Sequence, residues 1–296
     1  MSKTSYNYFR KITAFHGKTF YAASLLMGKN DANKAYTLYS LCRLIDDIAD
    51  NPKNDQNEIY QLKKYLWSLK QGSFIHYKGL ALPEIILEDL FKGMLFDQKC
   101  NHFETENDLF NYCYQVAGTV GILICSIFNV NHKQAWKHAV DLGIGLQLTN
   151  ISRDIYEDAI LNRIYIPKDW DNSLSTEVIR KFNSKSNQIY QIQKKLLLIA
   201  DEFYTSGYNG LRYLPSKVRF SFLFAAKCYQ QIGNEILQNQ NFKKRAYVGR
   251  TKKTTCLLKT LIFYFNKIKK NHSTHSSLNL CSKKNIKMSW LDYGSL

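Results

Sequence analysis

Proline is rare in this chain: among 296 residues it occurs only at positions 52, 83, 167 and 215. Proline interrupts helix interiors, so each long segment between these four positions is free to form an unbroken helix. Apolar residues recur in these segments at the 3.6-residue spacing of amphipathic helices. With 45% hydrophobic residues the chain can bury a large core, and no linker rich in proline, glycine or serine divides it. The sequence therefore predicts an all-α fold with one main domain.

The stretch GIGLQLTNISRDIYED, residues 143–158, places polar side chains at helical spacing within an apolar segment. At about 100° per residue, Asn150, Asp154 and Asp158 lie within roughly 80° of arc, each about 6 Å further along the helix. Gln147 continues the same face. Acids at this spacing often form an ordinary solvated face, but the apolar neighbours of this row argue against exposure. The row is predicted to be one half of a cation site.

A second acidic row lies between Tyr39 and Asp50, where Asp46 and Asp50 are one helical turn apart. Arg43 and Tyr39 fall on the same side of that helix as Asp46. Two such rows imply helices that face each other. Mg²⁺ prefers oxygen ligands and is commonly held by one or two carboxylates together with substrate phosphates. The paired rows therefore predict a clamp for a diphosphate and Mg²⁺, with Mn²⁺ as a substitute ion.

Four motifs of the chain resemble those of the squalene/phytoene synthase family and stand in the same order. They are DDIAD at 46–50, YCYQVAGTVG at 112–121, NISRDIYED at 150–158 and NRIYIP at 162–167. The resemblance runs from about position 16 to about position 253, and it implies a single-domain isoprenoid synthase helical bundle with a central active-site cavity. Residues 1–253 then form the catalytic domain. Residues 254–296 remain as a basic C-terminal tail, partly helical or disordered.

The resemblance also implies roles for individual side chains. Metal binding falls to the two polar rows: Asp46, Asp50, Asn150, Asp154 and Asp158. The four aspartates of these rows are also catalytic candidates. Contacts with the prenyl diphosphate substrates are implied for a larger set: His16, Lys18, Thr19, Tyr39, Arg43, Gln147, Asn150, Arg153, Arg163, Tyr165, Tyr229 and Arg245.

Tyr112 completes the catalytic candidates, because the resemblance places the first tyrosine of its motif beside the reacting carbons. There an aromatic ring can stabilise a carbocation, and the hydroxyl can accept or pass a proton. Gly118 and Gly121 follow in the same motif and leave one side of the helix with little bulk. Such a side can admit either a neighbouring helix, which is the commoner use, or a flat prenyl chain. The resemblance favours the prenyl chain.

Two of the implied substrate contacts have a structural alternative. Gly17 stands where relatives usually carry a serine that lies against diphosphate, so this hydroxyl is absent here. Backbone groups around Gly17 can still donate to phosphate, or the glycine can simply be a flexible start of a helix. Arg163 and Tyr165 are implied to lie over the cavity mouth. Arg163 can instead form a structural salt bridge with Asp158 or Glu157.

The implied activity is head-to-head condensation of two prenyl diphosphates. Phytoene synthase, in carotenoid biosynthesis, joins two geranylgeranyl diphosphates through a cyclopropylcarbinyl diphosphate and ends with loss of a proton, without NADPH. The alternative is a squalene or dehydrosqualene synthase using farnesyl diphosphate. The small chain, the lack of a membrane-spanning tail and the tyrosine-rich context of VAGTVG favour phytoene synthase, with no NADPH expected. The chain has no dinucleotide-binding glycine fingerprint, but squalene synthases lack one as well. A relative turned into an assembly or scaffold protein would typically have lost the aspartates, which are all present. The sequence leaves substrate chain length and oligomeric state open.

Positive charge is concentrated at the C-terminal end. From Phe242 onward, thirteen lysines and arginines stand against one acid, Asp292, in a chain whose net charge is +17. Phe263, Tyr264 and Phe265 are interleaved with them, so part of this segment is amphipathic. An anionic membrane surface is the predicted partner, with a disordered and merely solubilising tail as the alternative. No nucleic-acid-binding module is visible, so nucleic acid is not an expected partner.

Cysteine usage and hydropathy bear on the compartment. Seven cysteines, an odd number without CxxC spacing, predict reduced and mostly buried thiols rather than a zinc site or a disulfide framework. No secretory signal is recognisable, and the best apolar run, residues 117–130, is shorter than the 18 or so residues of a membrane-spanning helix. We therefore expect a cytoplasmic protein without a transmembrane helix that associates peripherally with membranes.

Overall fold

The computed structural model describes residues 3–50, 56–97, 102–268 and 279–291. Helices dominate these residues, which confirms the all-α prediction. Two π-helical turns, Tyr114–Gly118 and Tyr264–Ile268, continue helices. In chain order the α-helices are α1 (Lys3–His16), α2 (Lys18–Ser24), α3 (Lys29–Asp50), α4 (Gln56–Ser68), α5 (Glu84–Asp97), α6 (Glu106–Cys113), α7 (Thr119–Ile127), α8 (Lys133–Ile160), α9 (Thr176–Lys181), α10 (Asn187–Gly210), α11 (Ser216–Asn239), α12 (Arg250–Phe263) and α13 (Leu280–Lys283).

The prolines lie at the boundaries of these elements, as their effect on helices requires. Pro83 directly precedes α5, and Pro215 directly precedes α11, where a missing N–H costs no intrahelical hydrogen bond. Pro167 lies in the connection after α8. Pro52 lies outside the described residues. The three described prolines therefore lie outside helix interiors, although several helices also end where no proline occurs.

A small antiparallel sheet between α4 and α5 departs from the purely helical prediction. Its strands are β1 (Lys70–Gln71), β2 (Phe74–Tyr77) and β3 (Leu80–Pro83), in the order β1-β2-β3. Lys78 and Gly79 connect β2 to β3 with φ values of 50° and 84°, the left-handed backbone that a two-residue hairpin turn needs. Four side chains of the sheet are buried in the main core: Ile75, Tyr77, Leu80 and Leu82.

Helix α8 is the central helix, and it packs against α7, α10 and α11. Its contact with the first π-helical turn and α7 is formed between backbones. A Cβ added at Gly143 would lie 2.4 Å from the carbonyl oxygen of Ala117, and one added at Gly121 would lie 2.3 Å from that of Ala139. No side chain fits at such distances. The structure thus confirms helix packing as a use of the small-residue side at Gly121.

One helical stretch among the described residues is long and apolar enough to span a membrane by length and composition. It is Glu106–Ile127, which comprises α6, the first π-helical turn and α7. The prediction of no such helix rested on residues 117–130 alone and overlooked the residues before them. Within the bundle, 56% of the apolar window is buried. A buried core helix has the same length and composition, so this stretch is weak evidence for a membrane span.

The C-terminal part of the chain is folded onto the bundle on both sides of residues 269–278, which lie outside the described residues. Helix α12 packs along α11. Residues 279–291 cross α8, where the buried carboxylate of Asp141 accepts hydrogen bonds from the backbone N–H groups of Leu280 and Cys281 at 3.0 and 2.8 Å. Trp290 then enters the main core, 2% exposed, with its ring 5.5 Å from that of Trp136. The predicted domain boundary at 253/254 stays a prediction, but the predicted tail contains core residues.

We expect Trp290→Ala to lower the free energy of unfolding by about 3–5 kcal/mol, because it removes a large buried ring from a packed core. Urea denaturation followed by circular dichroism measures the change. Leu291→Ala is the control, since the Leu291 side chain is 40% exposed, and its effect should stay within about 0.5 kcal/mol. Equal denaturation midpoints for the two variants would show that residues 279–291 contribute little to the core.

Candidate active site

A cavity of about 370 Å³ lies between α2, α3, α7, α8, α10 and α11. Most of its wall is apolar, including Phe20, Val120, Ile124, Leu146 and Phe222. Its polar lining contains six of the residues predicted to bind substrate or metal: Tyr39, Arg43, Asp46, Gln147, Asn150 and Tyr229.

Helical spacing explains why these residues meet. On α3 the lining residues Tyr39, Arg43 and Asp46 are four and three residues apart, so they form one stripe that faces the cavity. On α8 the lining runs from Ala135 through Leu146 to Gln147 and Asn150, with the polar residues last. Tyr229 of α11 lies close enough to both helices to influence the pKa of Tyr39 and of Arg153. The structure therefore brings Asp46 of the first row and Asn150 of the second row to one polar end of the cavity.

Arg43 neutralises the first row. Its guanidinium donates to Asp46 at 2.8 Å and to Asp47 at 2.5 Å. Burial by itself would lower the pKa of Arg43, but the two carboxylates raise the pKa above its ordinary value. Burial raises the pKa of the neighbouring Tyr39 hydroxyl to about 12, and Tyr229 adds to this effect. At neutral pH the row therefore presents a charged guanidinium and a protonated phenol.

Asp154 of the second row is held by two arginines. Arg153 donates to it through Nε at 2.7 Å and Nη2 at 2.5 Å, and Arg245 donates through Nε at 2.9 Å and Nη2 at 3.1 Å. Burial by itself would raise the pKa of Asp154, but the hydrogen bonds and charges of Arg153 and then Arg245 lower it. Asp154 is therefore ionised. Arg153 and Arg245, which are predicted to contact diphosphate, both bind Asp154, which is predicted to bind the metal.

Asn150 has the one described oxygen of the second row that is buried without a hydrogen-bond partner. Its Nδ2 donates to Gln147 at 3.3 Å, whereas its Oδ1 has no partner. A buried unsatisfied acceptor costs about 1–3 kcal/mol, and a cation or a water on that cation would satisfy it. Among the described residues, no three His, Cys, Asp or Glu side chains converge on one point. The donor set therefore fits an ion such as Mg²⁺, which keeps waters and shares substrate phosphates, rather than a closed metal cage.

Asp50 and Asp158, like Asp154, do not belong to the described lining of the cavity. The side chain of Asp50, at the end of α3, lies outside the described residues. Asp158 lines a small crevice near α9 together with Arg163, Tyr165 and Ile179. The backbone N–H of Arg163 donates to the carbonyl oxygen of Asp158 at 2.9 Å. Asp158 and Arg163 are therefore neighbours, as the salt-bridge alternative requires. The metal-binding role of Asp50 and of Asp158 stays a prediction.

Tyr112 is packed in an aromatic cluster. Its ring stacks on that of Tyr165 at 5.2 Å and 16°, and it contacts Phe103 at 5.3 Å and Phe96 at 6.4 Å. Tyr112 is 5% exposed, and neither it nor Tyr165 is among the described residues that line the cavity. Its assignment beside the reacting carbons stays a prediction. The sequence did not indicate that these two tyrosines stack on each other.

The junction between α1 and α2 lies against the polar end of the cavity. A Cβ added at Gly17 would lie 2.8 Å from Cζ and from the hydroxyl oxygen of Tyr39, so only glycine allows this contact. Phe20 stacks on the same tyrosine ring at 5.6 Å. The predicted contacts in this junction do not line the described cavity: His16 and Lys18 are exposed and Thr19 is half-buried.

Sequence reasoning missed the apolar wall of the cavity. Phe20 and Phe222 approach each other to 6.3 Å between ring centroids and both line the cavity. Their helical spacing is that of ordinary core residues, so no sequence signal distinguishes a wall residue from a core residue. Cys42 lies on the lining stripe of α3, and the spacing from Tyr39 would have identified it.

The profile of the squalene/phytoene synthase family matches residues 13–252. The chain belongs to the squalene/phytoene synthase family. A phytoene synthase of Arthrospira platensis is 31% identical over 281 residues, covering 86% of this chain and 91% of that protein. The chloroplastic phytoene synthase 1 of Arabidopsis thaliana is 31% identical over 271 residues, covering 83% of this chain but only 64% of that protein. The resemblance seen in the four motifs is thus confirmed over most of the chain.

A solved dehydrosqualene synthase in complex with a ligand has the same fold as this squalene/phytoene synthase family member. It superposes with a TM-score of 0.79 at 23% identity, covering 89% of this chain and 97% of the other. The predicted isoprenoid synthase helical bundle is therefore confirmed. The family consists of prenyl diphosphate synthases, which generally use a divalent metal.

We expect Gly17→Ala to weaken binding of inorganic diphosphate about tenfold, roughly the contribution of one hydrogen bond to a charged group. The physical reason is that the new Cβ would displace the Tyr39 ring. Isothermal titration calorimetry in the presence of Mg²⁺ measures the affinity. Gly28→Ala is the control, because its nearest heavy atom would be Asp31 Oδ2 at 3.7 Å. An unchanged affinity of Gly17→Ala for diphosphate would show that the position of the Tyr39 ring does not affect diphosphate binding.

Proposed function

We propose that this protein is a phytoene synthase, which condenses two geranylgeranyl diphosphates head to head to phytoene and releases diphosphate. One observation carries the proposal: a mostly apolar cavity has, at its polar end, charged and amide side chains from two separate helices. An apolar wall suits a prenyl chain and the polar end suits its diphosphate. A phytoene synthase that matches 86% of the chain supports this choice of substrate.

Diphosphate binding is assigned to the polar end of the cavity. Arg43 points a charged guanidinium into it, and guanidinium groups bind phosphate oxygens in pairs. The hydroxyl groups of Tyr39 and Tyr229 donate from the same region. Arg245 and Arg153 lie one helical turn beyond Asn150, at Asp154. These groups would orient the substrate so that its C1 carbon faces the apolar wall.

Asp46, Asn150 and Asp154 would hold Mg²⁺ or, as a substitute, Mn²⁺, with Asp50 and Asp158 as further predicted ligands. The ion would neutralise charge on the departing diphosphate when bound. The unpaired oxygen of Asn150 and the ionised carboxylate of Asp154 are the hard oxygen ligands that such ions prefer.

The apolar wall would protect the carbocations of this reaction from water. Val120, Ile124 and Leu146 offer no nucleophile, and the rings of Phe20 and Phe222 can stabilise positive charge. In the proposed reaction one substrate loses its diphosphate, and the double bond of the second substrate attacks the resulting allylic cation. Loss of a proton then closes the ring of a cyclopropylcarbinyl diphosphate. This intermediate loses its own diphosphate, rearranges and loses a second proton, so no NADPH is required. Tyr112 remains the predicted residue for proton transfer.

Product analysis tests the substrate and the cofactor together. We expect geranylgeranyl diphosphate with Mg²⁺ alone to give phytoene, and added NADPH to change neither rate nor product. The control is farnesyl diphosphate, which should react more slowly under the same conditions. Chromatography with mass spectrometry identifies the hydrocarbon. Faster formation of squalene or dehydrosqualene from farnesyl diphosphate would assign the protein to the alternative activity.

Removal of one carboxylate tests the metal assignment. We expect Asp154→Asn to reduce turnover by on the order of a hundredfold or more, because a charged ligand is lost from the site. Glu202→Gln, which neutralises an exposed acid on α10, is the control and should retain full turnover. Thermal unfolding is measured for both variants, since Arg153 and Arg245 lose a charge partner. Turnover close to that of the unchanged protein at saturating Mg²⁺ would contradict the assignment.

We also infer that the protein resides in the cytoplasm and docks peripherally on anionic membranes. The six described cysteines are free and five of them are buried, which supports a reducing compartment. The basic C-terminal segment supports membrane docking. Deleting residues from Thr254 onward would be a poor test, because the deletion removes Trp290 and α12 together with the charge. Membrane docking is better tested by substituting exposed residues on the surface that contacts the membrane, which leaves the core intact.

A further inference from the structure

Helix α12 has two apolar sides, and only one of them is buried. Cys256 and Thr260 are buried against the bundle. On the other side Leu258, Leu261 and Ile262 are exposed to 57%, 37% and 63%. Spacings of three and four residues place these three side chains on one stripe of the helix. The helix therefore presents an apolar stripe to its surroundings.

The segment after α2 extends this apolar surface. Ala22 and Ala23 of α2 share a small apolar cluster with Cys256 and Leu257 of α12, on the side of α11 that carries Phe224. Leu25 and Leu26 follow directly, exposed to 60% and 43%. Two segments that are more than 200 positions apart in sequence thus border the same apolar cluster on α11, and each continues into exposed aliphatic side chains. We call this surface the α12 face and define it by Leu25, Leu26, Leu258, Leu261 and Ile262.

The two segments that carry the α12 face have charges of one sign. Residues 3–30 and 240–268 contain thirteen lysines and arginines and no aspartate or glutamate. Arg250 and Lys259 are exposed on α12 itself, and Lys18 is exposed on α2. Glu235 of α11 reaches α12, but its side chain is 8% exposed and is paired with Lys252 at 2.5 Å. An apolar stripe on segments that carry only basic charges is complementary to an anionic lipid surface.

The exposed aliphatic residues of α8 and α10 lack this setting. Leu198 on α10 is 59% exposed, but Asp201 and Glu202 follow it within one helical turn and are exposed too. Leu161 at the end of α8 is 62% exposed and stands three residues after Asp158. Isolated apolar side chains among acids are normal on a protein surface. The apolar stripe on a segment without acids distinguishes the α12 face from these positions.

The α12 face lies one helix away from the cavity. Phe222, Ala225 and Tyr229 of α11 line the cavity, whereas Phe224 and Cys228 of the same helix pack toward α12. Phe20 of α2 lines the cavity as well. Helices α2 and α11 therefore have the cavity on one side and the α12 face on the other.

We propose that the α12 face inserts its five apolar side chains into an anionic lipid bilayer and places the cavity wall of α2 and α11 at the membrane surface. The proposal deepens the proposed function, because a C40 hydrocarbon is nearly insoluble in water and leaves the cavity most readily into lipid. Docking itself depends only on the face and its charge. A second copy of the chain could also cover an apolar face, and the experiment distinguishes that case.

The experiment compares co-sedimentation of three full-length proteins with vesicles of phosphatidylcholine alone or mixed with phosphatidylglycerol. The unchanged protein should bind the mixed vesicles, and high salt should release it. Leu258→Gln/Ile262→Gln should lower the vesicle partition coefficient at least about tenfold, because two apolar side chains no longer enter the bilayer. Leu198→Gln, of matched exposure, should bind like the unchanged protein.

Two further measurements complete the test. Turnover in detergent micelles should be equal for all three proteins, which shows that the face is separate from catalysis and that the variants fold. Absence of turnover together with intact vesicle binding would refute the proposed function and leave the docking proposal standing. Equal vesicle binding by Leu258→Gln/Ile262→Gln and the unchanged protein would overturn the docking proposal. So would a dimer in size-exclusion chromatography that the double substitution converts to a monomer without any vesicle binding.

Discussion

Backbone contact between α8 and the helical stretch before it is the constraint on which the rest of this structure depends. Gly121 and Gly143 let carbonyl groups of the facing helix come within the space that a Cβ would occupy, and Gly207 lets Leu142 of α8 approach as closely where α10 meets α8. Because the contacts with α7 and α10 fix the rotation of α8 about its axis, the side of α8 that carries Gln147 and Asn150 has a defined direction. Gln147 and Asn150 point into the cavity for this reason. Bulkier residues at these crossings would separate the helices and turn the polar row away.

Electrostatic balance keeps that polar row usable. Carboxylates in a mostly apolar cavity would tend to take up protons, and like charges on facing helices would repel. The chain places a guanidinium at each row, Arg43 at Asp46 and Arg153 with Arg245 at Asp154. Asp154 therefore remains ionised before any substrate arrives. The same guanidinium groups suit phosphate, so the polar end already carries both signs of charge that a metal diphosphate requires.

Local periodicity predicted the parts of the site that depend on one helix at a time. The spacing of Asp46 and of Asn150 was enough to expect both at one cavity, and the structure brings them there. Local periodicity could not predict contacts between distant segments. Examples are the contact of Arg245 with Asp154, 91 residues earlier, and the return of residues 279–291 to the core. The hairpin at Lys78 was missed because its strands are short. Phe222 was missed because a cavity wall and a core share the same apolar pattern.

The docking of residues 279–291 also bears on the order in which the molecule can be completed during synthesis. Asp141 receives its two backbone hydrogen bonds from residues 139 and 140 positions later. Asp89 receives a hydrogen bond from the hydroxyl of Ser289, 200 positions later. Until those residues leave the ribosome, Ser206 is the donor that Asp141 already has, and its two backbone donors are missing. Contacts of such separation form late and slowly. A nascent chain of this protein therefore carries an incomplete core until residues 279–291 have emerged, and chaperone contact would protect it up to that point.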